Sequence, residues 1–127
     1  MRNVPFFEYP RLWSDDKSDL LSVIDDVSSS GAFIMQRAVY DFECELAAYA
    51  GTNYAVGVGN ATDGMEIFLE AIGLKSGDEV IISSHTMLAT ASAIKVAGGT
   101  PIPVDIGPDG LISVNAIQAA ITHNTVG

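Results

Sequence analysis

Apolar and polar positions alternate in blocks along this chain, and the spacing inside each block predicts an element. Leu20, Val23, Ile24 and Val27 recur at helical intervals. Ser14-Asp15-Asp16 precedes them, and acidic residues suit a helix amino end, so the first helix is expected to start there. It should stop at Ser28-Ser29-Ser30-Gly31. Ahead of it, residues 1–13 read as irregular and aromatic, with Phe6, Phe7, Tyr9 and Trp13. After a loop over residues 32–37, Val39, Phe42, Leu46 and Tyr49 share one face of a second helix, closed by Ala50-Gly51.

From Tyr54 onward the pattern changes. Residues 54–58 form a short apolar run, read as a strand. A small polar turn follows, Gly59-Asn60-Ala61-Thr62. Met65, Phe68, Leu69 and Ile72 then mark a helix. Lys75-Ser76-Gly77-Asp78 is a turn, and residues 79–83 are a β-rich run, apolar in the middle, as in a strand covered on both faces. Residues 90–97 read as a helix stopped by Gly98-Gly99. Residues 100–106 read as another strand. Pro101 and Pro103 cannot donate ladder bonds, so this strand is expected at an edge or with an irregular start. Gly107-Pro108-Asp109-Gly110 is a turn, and Ser113 can cap a last helix bearing Val114, Ile117 and Ile121. A polar turn over residues 122–125 then leads into the first residues of a further strand, which predicts a continuation. Strands alternating with helices argue for an α/β fold with a mostly parallel sheet flanked by helices.

Composition narrows the picture. The chain has 127 residues, 48% apolar and 17% charged, which suits a packed core. Its net charge is −10, from 16 acidic against 6 basic residues, and it has no basic stripe, so nucleic acid is not an expected partner. That balance also offers a phosphorylated ligand no long-range attraction, so a phosphate would need local backbone donors. Cys44 is the only cysteine, so no intrachain disulfide can form. No apolar run approaches the roughly 20 residues that span a bilayer, and Pro5, Glu8 and Pro10 interrupt any signal-peptide core. The expectation is a soluble, cytoplasmic protein without a membrane partner.

Gly57-Val58-Gly59 with Gly64 loosely suggests a dinucleotide fingerprint, but Thr62 stands where its third glycine should be. Ser83 and Ser84 also stand where an acidic ribose ligand would be expected. A phosphate cradle fits the turn better. Asn60, Ala61 and Thr62 are small or hydrogen-bonding, sit ahead of a helix, and can offer N–H groups and a hydroxyl. Helix capping is the commoner use of such a turn, with Asp63 and Glu66 as a variant capping box. His85, after a strand and beside Ser83, Ser84 and Thr86, occupies the carboxyl end where α/β ligands gather. His123 reads as solvent-facing. Two histidines and one cysteine, far apart, make no metal constellation. There is no nucleophile elbow, and neither Lys75 nor Lys95 is placed like a buried catalytic lysine.

Several runs taken together carry a family resemblance. They are Gly31-Ala32-Phe33-Ile34, Phe42-Glu43 with Leu46-Ala47 and Tyr49-Ala50-Gly51, then Tyr54 through Gly64. Gly77-Asp78-Glu79-Val80-Ile81, Ser84-His85-Thr86 and Ala89-Thr90 continue it, followed by Gly98-Gly99-Thr100-Pro101, Val104-Asp105, Ala116-Ile117 and Ala119-Ala120-Ile121-Thr122. In order and spacing the chain from about residue 30 to 127 resembles the DegT/DnrJ/EryC1/StrS family of sugar aminotransferases. The resemblance implies pyridoxal 5′-phosphate as cofactor and an incomplete large domain of the aspartate aminotransferase fold (fold type I). Residues 1–30 would be an amino-terminal arm and helix, and residues 31–127 the first part of the cofactor-binding domain. It implies a homodimer that moves an amino group, from glutamate or another amino acid, onto a nucleotide-linked keto-sugar for polysaccharide or antibiotic sugars.

Residue by residue, the family's phosphate-holding Gly-Thr turn falls on Ala61-Thr62, preceded by Asn60. Its usual aromatic platform for the pyridine ring falls on Met87, a departure that gives a softer surface. His85, two residues earlier, is the other residue expected near the ring. The family's Schiff-base lysine and the aspartate that pairs with the pyridine nitrogen lie beyond position 127, so no catalytic residue is expected in this chain. Three readings follow: the front part of a longer aminotransferase, a short non-catalytic remnant or interaction module of the same fold, or a relative that dehydrates or regulates.

Overall fold

Two compact units, Met1–Gly57 and Val58–Gly127, make up the chain in a computed structural model that describes residues 4–127. In the first unit, helix α1 spans Tyr9–Ser29. It starts five residues before the expected Ser14. Pro10 is the reason. A proline in the first turn has its φ preset for a helix and lacks only an N–H that would be unpaired there anyway. Arg11 adds ion pairs to Glu8 at 3.7 Å and Asp15 at 3.8 Å on the same exposed face. Helix α2 spans Arg37–Ala50, as the periodicity predicts, and ends on Gly51 in the left-handed conformation at φ 69°. The Thr52 N–H closes that end on the Ala47 carbonyl at 3.0 Å.

Residues 54–58 have the apolar run of a strand but form no ladder among the described residues. A strand needs a neighbour to take its N–H and C=O groups. Here side chains serve instead. The Thr52 hydroxyl donates to the Tyr54 carbonyl at 3.0 Å, and the Gly57 N–H donates to the Glu43 carboxylate at 2.7 Å.

In the second unit the order is α3 (Ala61–Ala71), β1 (Glu79–Ser83), α4 (Leu88–Val96), β2 (Thr100–Val104) and α5 (Val114–Ala120). Strands β1 and β2 are parallel, with Glu79 opposite Thr100 and Ser83 opposite Val104. The Thr100 N–H donates to Asp78 and the Ser84 N–H to Val104, at 2.8 and 2.9 Å. Alternate residues of β2 therefore face β1, and Pro101 and Pro103 face outward, which bears out the edge expected from their missing donors. On the other side of β1 the chain returns in parallel. Glu79 N–H donates to Asn124, Val126 N–H to Glu79, and Ile81 N–H to Gly127, each at 2.9 Å. That is the further strand whose first residues the sequence predicts. Strand β2 stops at Val104 rather than Ile106. Ile106 bridges antiparallel to Ile112 across the Gly107–Gly110 turn, and the Ser113 hydroxyl accepts from Ala116 to cap α5.

The core of this unit is small and specific. Leu69, Leu74, Ala93, Ile94 and Ala97 are buried, with Met65, Val80 and Ile82 packed against them. Helix α4 lies against α3 and against both strands, so its small residues allow close approach. Gly99 belongs to the same contact. A Cβ there would stand 2.8 Å from Leu74 Cδ2 and 3.2 Å from Ile94 Cγ2. No helix among the described residues is long and apolar enough to cross a membrane.

Candidate functional site

Asn60 stands at the amino end of α3 in an extended conformation, φ −164° and ψ 173°. Its side-chain oxygen accepts from the Asp63 N–H at 3.0 Å, and its carbonyl accepts from the Gly64 N–H at 3.1 Å. It is the cap. Ala61 and Thr62 therefore lie inside the first turn of the helix, where the sequence pattern had them ahead of it. The expected Asp63–Glu66 capping box does not form, because Asp63 is the third helical residue and receives the cap. Its carboxylate folds back over Gly59, so closely that a Cβ on Gly59 would lie 2.6 Å from Asp63 Oδ2.

This arrangement leaves a defined set of donors. Asp63 and Gly64 spend their N–H groups on Asn60. Among the described residues no acceptor takes the N–H of Ala61 or Thr62, and the Thr62 hydroxyl is also uncommitted. Two adjacent amides and a hydroxyl at the positive end of a helix dipole have the chemistry that suits an anion. Asp63 is the single acidic residue in this turn, and its charge opposes an incoming anion.

His85 and Met87 occupy the turn from β1 into α4. The His85 N–H donates to Ser83 Oγ at 3.2 Å, and Thr86 and Thr90 share a hydroxyl contact at 3.2 Å. Met87 is the residue before α4, extended at φ −65° and ψ 141°, and 76% exposed. Both side chains thus reach solvent from the amino end of a helix. The structure brings Asn60, Ala61 and Thr62 together at one helix end and His85 and Met87 at another. Helices α3 and α4 pack side by side, and among the described residues no hydrogen bond joins the two groups. His123 is exposed, as expected. Among the described residues no group of three or more His, Cys, Asp or Glu is placed to hold a metal ion.

Two features of the first unit carry no sequence signal. One is the Glu43–Gly57 hydrogen bond across 14 residues. The other is a cleft of about 310 Å³ lined by Tyr40, Glu43, Cys44, Ala47, Asn53 and Tyr54. Cys44 is free and exposed there, and it holds the Tyr40 phenol above its ordinary value through a hydrogen bond first and its charge second. Single residues on an exposed helix face have no spacing that would mark either feature.

A family model described as the DegT/DnrJ/EryC1/StrS aminotransferase family matches residues 14–127. A relative from Geobacillus stearothermophilus named "Pleiotropic regulatory protein" is 36% identical over 124 residues, covering 97% of this chain and 33% of the relative. The dTDP-3-amino-3,4,6-trideoxy-alpha-D-glucose transaminase of Streptomyces venezuelae is 33% identical over 123 residues, covering 96% of this chain and 32% of the enzyme. The crystal structure of ntda from Bacillus subtilis with bound cofactor PMP superposes with a TM-score of 0.91 at 35% identity, covering 98% of this chain and 29% of that one. The chain spans about a third of the length of these curated relatives, 33% and 32%.

Proposed function

The chain belongs to the DegT/DnrJ/EryC1/StrS aminotransferase family, and from that premise we propose that it supplies the phosphate-holding end of a pyridoxal 5′-phosphate site in a sugar aminotransferase. The observation that carries the reading is the donor set left open by the Asn60 cap: the Ala61 and Thr62 amides and the Thr62 hydroxyl. Their chemistry fits a phosphate monoester, which wants several short donors and tolerates a nearby helix amino end. The family's phosphate turn falls on the same two residues, and the Bacillus subtilis neighbour carries PMP. His85, exposed, and Met87, 76% exposed, would be the residues near the cofactor ring, offering an imidazole and a polarizable thioether. When bound, the cofactor supplies the electron sink that lets an amino group pass from an amino acid to a keto carbon.

The whole protein, on this reading, takes a nucleotide-linked keto-sugar and an amino-acid donor such as glutamate. Support comes from the Streptomyces relative, named for a dTDP-amino-sugar. The resemblance adds a homodimer, with residues 1–30 as arm and helix and residues 31–127 as the first part of the large domain. The free thiol of Cys44 suits a reducing cytoplasm. A second reading, a regulatory module of the same fold, is favoured by one observation, the name of the Geobacillus relative.

Amide NMR of the labelled chain tests the phosphate site. Pyridoxamine 5′-phosphate is the probe, because it cannot condense with surface lysines. The expected result is shifts centred on Ala61 and Thr62 that pyridoxamine without its phosphate does not produce, and that Thr62→Val weakens. Equal responses to the two compounds, or none at those amides, would overturn the assignment.

A further inference from the structure

The segment leading into the Asn60 turn has the residues of a strand and, among the described residues, no strand beside it, yet two hydrogen bonds hold it. The Thr52 hydroxyl holds the Tyr54 carbonyl at 3.0 Å, and the Glu43 carboxylate holds the Gly57 N–H at 2.7 Å. Glu43 lies mid-helix in α2, so the acceptor is carried by a regular element rather than a loop. The bond is short and charge-assisted, the stronger kind of hydrogen bond to a backbone amide. Glu43 is half-buried, so its rotamer is already restricted. We propose that Glu43 is a positioning residue: by clamping the Gly57 N–H it sets the path of residues 57–59 and so the presentation of the Ala61 and Thr62 amides. The clamp stands on its own geometry, and only what it serves rests on the phosphate reading above.

Gly57 is three residues ahead of Asn60, and no ladder bond fixes the chain between them. Without the carboxylate, the Gly57 amide would face water and the approach would sample many backbone states. The role needs an acceptor of the right length more than it needs a charge. Glutamine can therefore replace glutamate here, and alanine cannot.

Hydrogen exchange and amide NMR on the full chain test this with three variants. Glu43→Ala is expected to speed Gly57 exchange by about tenfold, the scale of losing one bond to a charged group. It should also weaken the pyridoxamine 5′-phosphate response at Ala61 and Thr62. Exchange at Ala47 and Ile94 should stay at the parent rate, showing that the fold is intact. Glu43→Gln should restore most of both effects, a rescue that general destabilisation would not give. Parent-like Gly57 exchange in Glu43→Ala would overturn the clamp. So would loosening of Gly57 that leaves an existing response at Ala61 and Thr62 unchanged. Thr62→Val separates the two ideas. If the parent shows no response at Ala61 and Thr62, the phosphate reading fails, and the clamp is then judged by exchange of residues 57–59 alone.

Discussion

Replacing Asn60 with alanine removes the acceptor that holds the Asp63 N–H at 3.0 Å. Loss of such a cap costs about 1 kcal/mol, read as a lower urea midpoint with an unchanged slope. Asn60→Asp keeps the acceptor and adds a negative charge. It should leave stability near the parent value while weakening pyridoxamine 5′-phosphate binding, increasingly so at low ionic strength. The two substitutions therefore separate capping from anion binding at one position. Asn60 is visible in the sequence because a polar residue before a helical run is a cap signal. Ala61 and Thr62 are also expected as donors, but only the fold shows that Asn60 serves as the cap rather than as a member of the same donor set. Glu43 is less visible still: nothing local distinguishes it from Glu45, and only the fold brings Gly57 beside it.

At the scale of elements, one close contact is where Gly99 follows α4. Gly99→Ala would place a methyl 2.8 Å from Leu74 Cδ2 and 3.2 Å from Ile94 Cγ2, against a residue that is 2% exposed. Ile94 cannot retreat, so the expected cost is about 1–3 kcal/mol of stability, measured by urea unfolding of the chain. The elements differ in how openly the sequence declares them. Strand β1 coincides with its predicted span, because residues 80–82 are a continuous apolar run flanked by Glu79 after a turn and by Ser83. Residues 54–58 give the same local signal and form no ladder, because pairing depends on a partner that no local pattern specifies. The start of α1 was obscured by Pro10, which interrupts a helix interior but fits a first turn.

Across the whole molecule, apolar surface and charge pull in opposite directions. Large side chains stand exposed in both units, among them Phe6 at 93% and Tyr49 at 91% in the first, and Leu88 at 80% in the second. Such surface favours association. The net charge of −10 opposes it through mutual repulsion between copies. Salt screens the repulsion and leaves the apolar attraction, so light scattering should report larger species as sodium chloride is raised, and return to smaller ones on dilution of the salt. A size independent of ionic strength would contradict this balance.

The two prolines on the outer flank of β2 set a direction on how this chain can stick to anything. A bare strand edge is a template on which another copy can stack, and stacking repeated without limit builds fibrils. Pro101 and Pro103 turn two donor-less rings toward that flank, so the template is defaced there. Whatever association the exposed side chains drive should therefore leave that flank closed to fibril growth.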